Sequence, residues 1–416
     1  MKLLIILKDV FPVHLNTGGK QAIFHIVDYL RNKMDISILF DVQSNVSDVD
    51  IRNLERKWDN VKFFRYTANK KMNFFFFQKQ LMRFLYKLFS SNNDIVKTRR
   101  LNKGIEIPDM EFLCYINQII EQEQFDIVQT EFYQALDLVF ALPKNIKRVF
   151  VQHEIRYVRE ELFLNNQQKK VNVRDTYLLK KLKCNEIAAM NQYDLVITLT
   201  EVDKNKLKEA GVSCKVEDSP PCIPCYKSPK NINITTNQLV FLGGSVHPPN
   251  VEGLKWFLKE VWGFILQQNR KMELNIIGSW SKNYIEQFTS KYVNVKFLGV
   301  VEDLEPVMSG RIMIIPILSG SGIRMKALEA INYGCPIVTT PVGIEGLNFT
   351  NEIDCFIADT AINFADRIIT LTNSHLLQEK FIQNAKHWYM DEYSIEKLGN
   401  RRLSIYEDLA GDGSFK

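Results

Sequence analysis

Two runs in this chain are apolar at every position: Leu3-Leu4-Ile5-Ile6-Leu7 and Ile312-Met313-Ile314-Ile315. A strand with one wet face alternates apolar and polar residues. A strand without alternation must be covered on both faces, as in a parallel sheet with helices on either side. Each run leads into glycines and then into a helical pattern. Gly18-Gly19 precede Ile23, Ile26, Val27 and Leu30, which share one helical face, and Gly320 and Gly322 precede a helix expected to begin near Ile323. Further strands are expected at 36–40, 125–128, 148–151 and 195–198. Strand, glycine loop, helix, strand is the opening of a parallel α/β fold.

The scheme breaks and then restarts. "EDSPPCIPCYKSPKNINITTN" (217–237) is rich in Pro, Ser and Asn and has no periodicity. After it come Leu239–Leu242, a glycine turn, a helix from about Val251, and strands near 274–277, 295–298, 312–315 and 336–339. The expected organisation is two Rossmann-like domains, 1–214 and 238–391, joined by a connector at 215–237. A terminal helix over about 392–416 is expected to pack back on the first domain. The 416 residues suffice for two domains, and 46% apolar residues supply their cores.

Several function classes lose support. The net charge of +5 suits phosphorylated ligands or an anionic membrane surface and does not indicate nucleic acid. No apolar stretch approaches the roughly eighteen residues of a membrane span, and the N-terminal run is too short for a secretory leader, so a cytoplasmic location is expected. Neither half carries G-x-G-x-x-G after its first strand, so no dinucleotide cofactor is expected. Cys222-Ile-Pro-Cys225 lacks a second pair and reads as a chance spacing within a proline-stiffened connector. Asp48-Val-Asp50 sits in a Ser/Asn/Asp-rich stretch and is not taken as a metal site.

The chemistry concentrates in "SGSGIRMKALEAINYGCPIV" (319–338). In open α/β sheets, ligands bind beyond the carboxyl ends of the strands. Gly320 and Gly322 let the backbone turn there and approach a ligand closely. The free N–H groups of a helix start attract an anion. Arg324 adds a planar fork of donors, and Lys326 a point charge. Glu329 suits a vicinal diol such as a ribose. Donors for phosphate beside an acceptor for a diol suggest a nucleotide. The same residues also fit a solvated helix start with a Lys326–Glu329 pair.

This stretch resembles the C-terminal signature of retaining family 4 glycosyltransferases (glycosyl transferases group 1). "LVFLGGSVHPPNVEGLKWFLKEVW" (239–262), "VKFLGVVEDLEPVMSGRIMIIPI" (295–317) and "GCPIVTTPVGIEGL" (334–347) resemble other parts of the same domain, and "DLVITLTEVDKNKL" (194–207) resembles the end of the first one. The resemblance implies the GT-B fold, two Rossmann-like domains facing each other across a cleft that closes about the connector. It implies sugar transfer from a nucleotide-diphosphate sugar to a hydroxyl, with retention, no metal and no cofactor. Arg324 and Lys326 would take the diphosphate, Glu329 the ribose, and Gly243-Gly244 would leave room for the phosphates. Many relatives carry two glutamates separated by seven residues. Glu329 matches the second, and Ser321 holds the place of the first, which usually lies by the donor sugar.

In the first domain, "VQHEIRYVREE" (151–161) ends a strand on His153, which by resemblance contacts the donor sugar. A structural histidine is the alternative. Glu154 and Arg156 are candidate acceptor contacts. Gly18-Gly19 resemble the family's N-terminal glycine loop near the phosphates and also fit a plain tight turn. Asn250 reads as a helix cap. "NKKMNFFFFQKQLMRFLYKLF" (69–89) interleaves basic and large apolar residues. It reads either as a core helix or as a helix on the inner membrane face, where the acceptor would be a lipid-linked saccharide. Two other functions fit the same architecture, a sugar-nucleotide epimerase and a non-catalytic partner subunit.

Overall fold

In a computed structural model of the chain, the apolar runs become central strands. It describes residues 1–8, 10–15, 17–41, 46–67, 109–165, 172–224, 234, 235, 237–320 and 322–411. The first sheet holds β1 (Lys2–Leu7), β2 (Asp35–Asp41), β3 (Lys62–Tyr66), β4 (Ile127–Glu131), β5 (Lys147–Gln152), β6 (Leu195–Thr198) and β7 (Lys215–Asp218). Their order is β3-β2-β1-β4-β5-β6-β7, with every pair parallel. The second holds β8 (Gln238–Leu242), β9 (Glu273–Ile277), β10 (Val295–Gly299), β11 (Ile312–Ile315), β12 (Ile337–Thr339) and β13 (Phe356–Ile357). Its order is β10-β9-β8-β11-β12-β13, again all parallel. Both sheets therefore follow the doubly wound Rossmann order, in which two halves run outward from a reversal at the centre.

Burial explains which strands take the centre. All four residues of β11 are fully inaccessible to solvent. Burying each such side chain is worth about 1.5–3 kcal/mol, more than the roughly 1 kcal/mol span of strand propensity. Leu4 and Ile6 of β1 pack with Phe112, Ile116, Ile119 and Ile120 of the helix Met110–Glu123. The helix Gly18–Leu30 buries Ala22, Ile23, Ile26, Val27 and Leu30, the face its spacing predicts. Thr17 caps it by accepting from the Lys20 amide.

The chain divides into two units, Met1–Pro221 together with the chain from Gly399, and Cys222–Leu398. Residues 215–218, expected in the connector, are instead the edge strand β7 of the first sheet, paired with β6. The connector's apolar content is too low to reveal this, since an edge strand with few buried side chains gives no run. The last helix spans Ile395–Gly411. Within the first unit, Arg402 of this helix donates to the Ser219 hydroxyl at 2.8 Å and to its carbonyl at 3.1 Å. Asp48 and Asp50 open the helix Asp48–Lys57, where Asp50 and Ser47 form a capping box, so this pair has a structural task. Residues 69–89, read above as a core or membrane helix, lie outside the described residues, as do Ser321 and Cys225. Among the described residues, no helix is long and apolar enough to cross a membrane.

Candidate active site

The strand order reverses between β1 and β4 in the first unit, and between β8 and β11 in the second. Ligands of doubly wound sheets bind beyond the carboxyl ends at that reversal. The candidate residues of each unit fall at or beside it.

In the second unit, β11 runs out through Pro316 to Gly320 and Gly322, which adopt φ of 140° and 80°. A side chain is strained in that region, so glycine is required by the path itself. The helix begins at Met325, two residues later than expected, and Arg324 is its N-cap. Glycine lets the loop fold over that arginine: a Cβ on Gly320 would stand 3.3 Å from the guanidinium. The Arg324 Nε donates to the Val342 carbonyl at 2.7 Å, and the guanidinium lies 3.9 Å from Glu345. Lys326 is partly buried in the first helical turn. Burial and then the Arg324 charge push its pKa down to about 8. Both influences oppose its charged form, so this corner of the molecule favours the arrival of an anion. Glu329 lies one turn along the same helix, partly buried. Ser319, fully buried, donates to the Glu252 carboxylate at 2.5 Å and ties the loop to the first helix of this unit.

Gly243 and Gly244 end β8, and the protein's own atoms already occupy the space beside them. A Cβ on Gly244 would lie 2.8 Å from the Ser279 carbonyl, and one on Gly243 would lie 2.6 Å from the Asn250 amide. Close packing of neighbouring loops, not only room for phosphate, thus demands glycine here. Asn250 is not the cap, a position taken by His247; it is buried and donates to the Gly244 carbonyl at 3.0 Å.

In the first unit, His153 follows β5 and is held on two sides. Its Nε2 lies 2.5 Å from the Glu131 carboxylate, and its ring stacks on Phe132 with centroids 3.9 Å apart. Phe132 takes a φ of 65°, a strained state for a large side chain. Such strain persists only where the surroundings hold it. Gly19 is the second residue of a helix, not part of a tight turn, and a Cβ there would stand 2.7 Å from the Phe132 ring. Gly19, Phe132 and His153 therefore form one packed stack.

Glu154 and Arg156 are committed within the fold. Glu154 pairs with Arg159 at 2.5 Å. Arg156 is 5% exposed, with its guanidinium 4.9 Å from the centre of the Tyr133 ring, and burial lowers its pKa. Both candidate acceptor residues thus already have partners within the first unit. Glu131 lies beyond the strand expected at 125–128, because β4 runs three residues further, to Glu131 itself. A carboxylate at the carboxyl end of a central strand was the available signal.

Comparison with known proteins agrees with this architecture. Residues 236–374 match the family model for glycosyl transferases group 1. An uncharacterized 44.6 kDa protein in the cps region of Klebsiella pneumoniae is 26% identical over 169 residues, 38% of this chain; the match spans 43% of that protein's length. A mutant of TarM from S. aureus, in complex with fondaparinux, alpha-GlcNAc-glycerol and UDP, superposes with a TM-score of 0.68 at 15% identity, covering 98% of this chain and 99% of that one. HepE from Anabaena in complex with UDP-glucose gives 0.67 at 12%, covering 98% and 100%. Sucrose-phosphate synthase from Thermosynechococcus elongatus gives 0.70 at 12%, covering 98% of each chain. The protein thus has the GT-B fold, and its second unit contains the residues that match the family model for glycosyl transferases group 1.

Proposed function

We propose that the protein is a retaining, metal-independent glycosyltransferase. It moves a sugar from a nucleotide-diphosphate sugar to a hydroxyl of a saccharide or lipid-linked saccharide, in the synthesis of a surface glycan. The observation that carries this reading is the pair of cations at the carboxyl end of β11. As the bond from the anomeric carbon to the diphosphate breaks, negative charge grows on the leaving oxygen. Arg324 and Lys326 meet that charge from partly buried positions. Removing one such preorganised donor typically costs on the order of a hundredfold in rate. Glu329 accepts from the ribose hydroxyls, and the backbones of Gly320 and Gly322 lie against the phosphates. His153, in the first unit, orients the donor sugar. The UDP-glucose complex of HepE supports a nucleotide-sugar donor, and the saccharides bound to TarM support a saccharide acceptor.

Incubation with labelled nucleotide-sugars tests the reading. One donor should be hydrolysed slowly alone and consumed quickly once a suitable saccharide is added. Conversion of a donor to its epimer without an acceptor would replace this reading with an epimerase. Inertness towards every donor would point to a non-catalytic subunit.

A further inference from the structure

A chain of buried hydrogen bonds runs from His153 to the last helix, entirely within the first unit. His153 Nε2 meets one Glu131 oxygen at 2.5 Å, and Gln129 Nε2 donates to the other at 2.7 Å. The Tyr406 hydroxyl donates to Gln129 Oε1 at 2.5 Å. Arg402 donates to that hydroxyl at 3.3 Å and to Ser219. Gln129, Glu131, Arg402 and Tyr406 are each no more than 3% exposed. Arg402 and Glu131 also line one small cavity together with His153.

The order of these groups fixes the direction of each bond. A guanidinium can only donate. The Tyr406 hydroxyl accepts from Arg402 and so turns its own proton towards Gln129. Gln129 must then present oxygen to Tyr406 and nitrogen to Glu131. One Glu131 oxygen therefore accepts from Gln129, which leaves the other to face His153. That oxygen, as an acceptor, holds the proton of His153 on Nε2 and leaves Nδ1 as the acceptor of the ring. Nδ1 faces the start of the helix Gly18–Leu30, 3.9 Å from where a Cβ on Gly19 would stand.

We propose that Tyr406 and Arg402, carried by the C-terminal helix, are positioning residues. Acting through Gln129 and Glu131, they fix the tautomer and aim of His153, so that Nδ1 accepts a hydrogen bond from a hydroxyl of the donor sugar. This rests on the glycosyltransferase reading for its consequence, but not for its geometry. Removing the Tyr406 hydroxyl strands Gln129 Oε1 away from water, and the amide leaves Glu131 to find another donor.

Tyr406→Phe and His153→Ala, made singly and together, test the proposal. Tyr406→Phe should lower kcat about tenfold with little change in the donor KM, as expected when a buried partner is lost. In the His153→Ala background it should cost almost nothing, because the residue it acts through is gone. An equal loss in both backgrounds would overturn the proposal and make Tyr406 a helix anchor only. Nitrogen NMR of the imidazoles, with His153 identified by its loss in His153→Ala, needs no activity. Wild type should show one tautomer at His153, with the proton on Nε2, and Tyr406→Phe should show a mixture. An unchanged spectrum would also overturn the proposal. If wild type transfers no sugar, the functional reading falls, and the NMR result alone judges the relay.

Discussion

At the scale of single residues, the second unit's site rests on a lysine whose charge the fold opposes. The pKa of Lys326 is depressed to about 8, first by burial and then by Arg324. A bound diphosphate reverses the balance and raises that pKa. Above pH 8 the free lysine is largely neutral, so binding must take up a proton, and affinity should fall by up to about tenfold per pH unit. Below pH 8 it should be flat. Calorimetry at pH 9 in two buffers of different ionisation heat reads this proton directly. No net uptake would mean that Lys326 does not meet the phosphates. Arg324, Lys326 and Glu329 stand out in the sequence as candidates because they crowd into six residues behind an apolar strand. Glu131 and Tyr406 do not, because 275 positions separate them in the chain and only the fold brings them into one network.

Elements were legible in proportion to how deeply they are buried. β1 and β11 announced themselves as unbroken apolar runs. β3 and β7 lie at opposite edges of the first sheet and carry charges along their length, and they left no comparable signal. The helix Arg156–Asn165 shows how a long-range contact can set an element's start. Its first amides, of Arg156 and Tyr157, donate to Glu186 at 3.3 and 2.9 Å. Glu186 comes from a different helix, so no local cap appears in the sequence. Burial raises its pKa to about 7, against the pull of those same amides. A carboxyl group whose folded pKa is raised stabilises the fold fully below its unfolded value, near pH 4.5, and loses that contribution as pH rises through about 7. The shift corresponds to about 3 kcal/mol. Glu186→Gln keeps an acceptor and cannot ionise. Its Tm should therefore gain steadily on wild type from pH 4.5 to 7 and hold level above. A constant difference across that window would show that Glu186 does not titrate there.

At the scale of the whole molecule, the sequence showed two α/β units because the strand, glycine, helix order restarts after the proline-rich stretch. The division between Pro221 and Cys222 falls inside the connector expected at 215–237, whose first residues form β7 as one more edge strand beside β6. The return of the chain to the first unit from Gly399 is more than a terminal packing detail, because that helix supplies Arg402 and Tyr406 to the network behind His153. The strand order, repeated in both sheets, is what no linear reading could deliver, and it puts both sets of candidate residues at a topological reversal. The proposed function requires that the second unit's reversal hold the diphosphate of a nucleotide-sugar. Calorimetric titration tests it most directly, with nucleoside diphosphates and their parent nucleosides added to wild type and to the Arg324→Ala/Lys326→Ala double variant. Wild type should prefer one diphosphate strongly over its nucleoside. The double variant should lose about a hundredfold or more of that affinity, two charge-assisted contacts being removed, while binding the nucleoside as before. A double variant that keeps the wild-type preference for diphosphate would contradict the account.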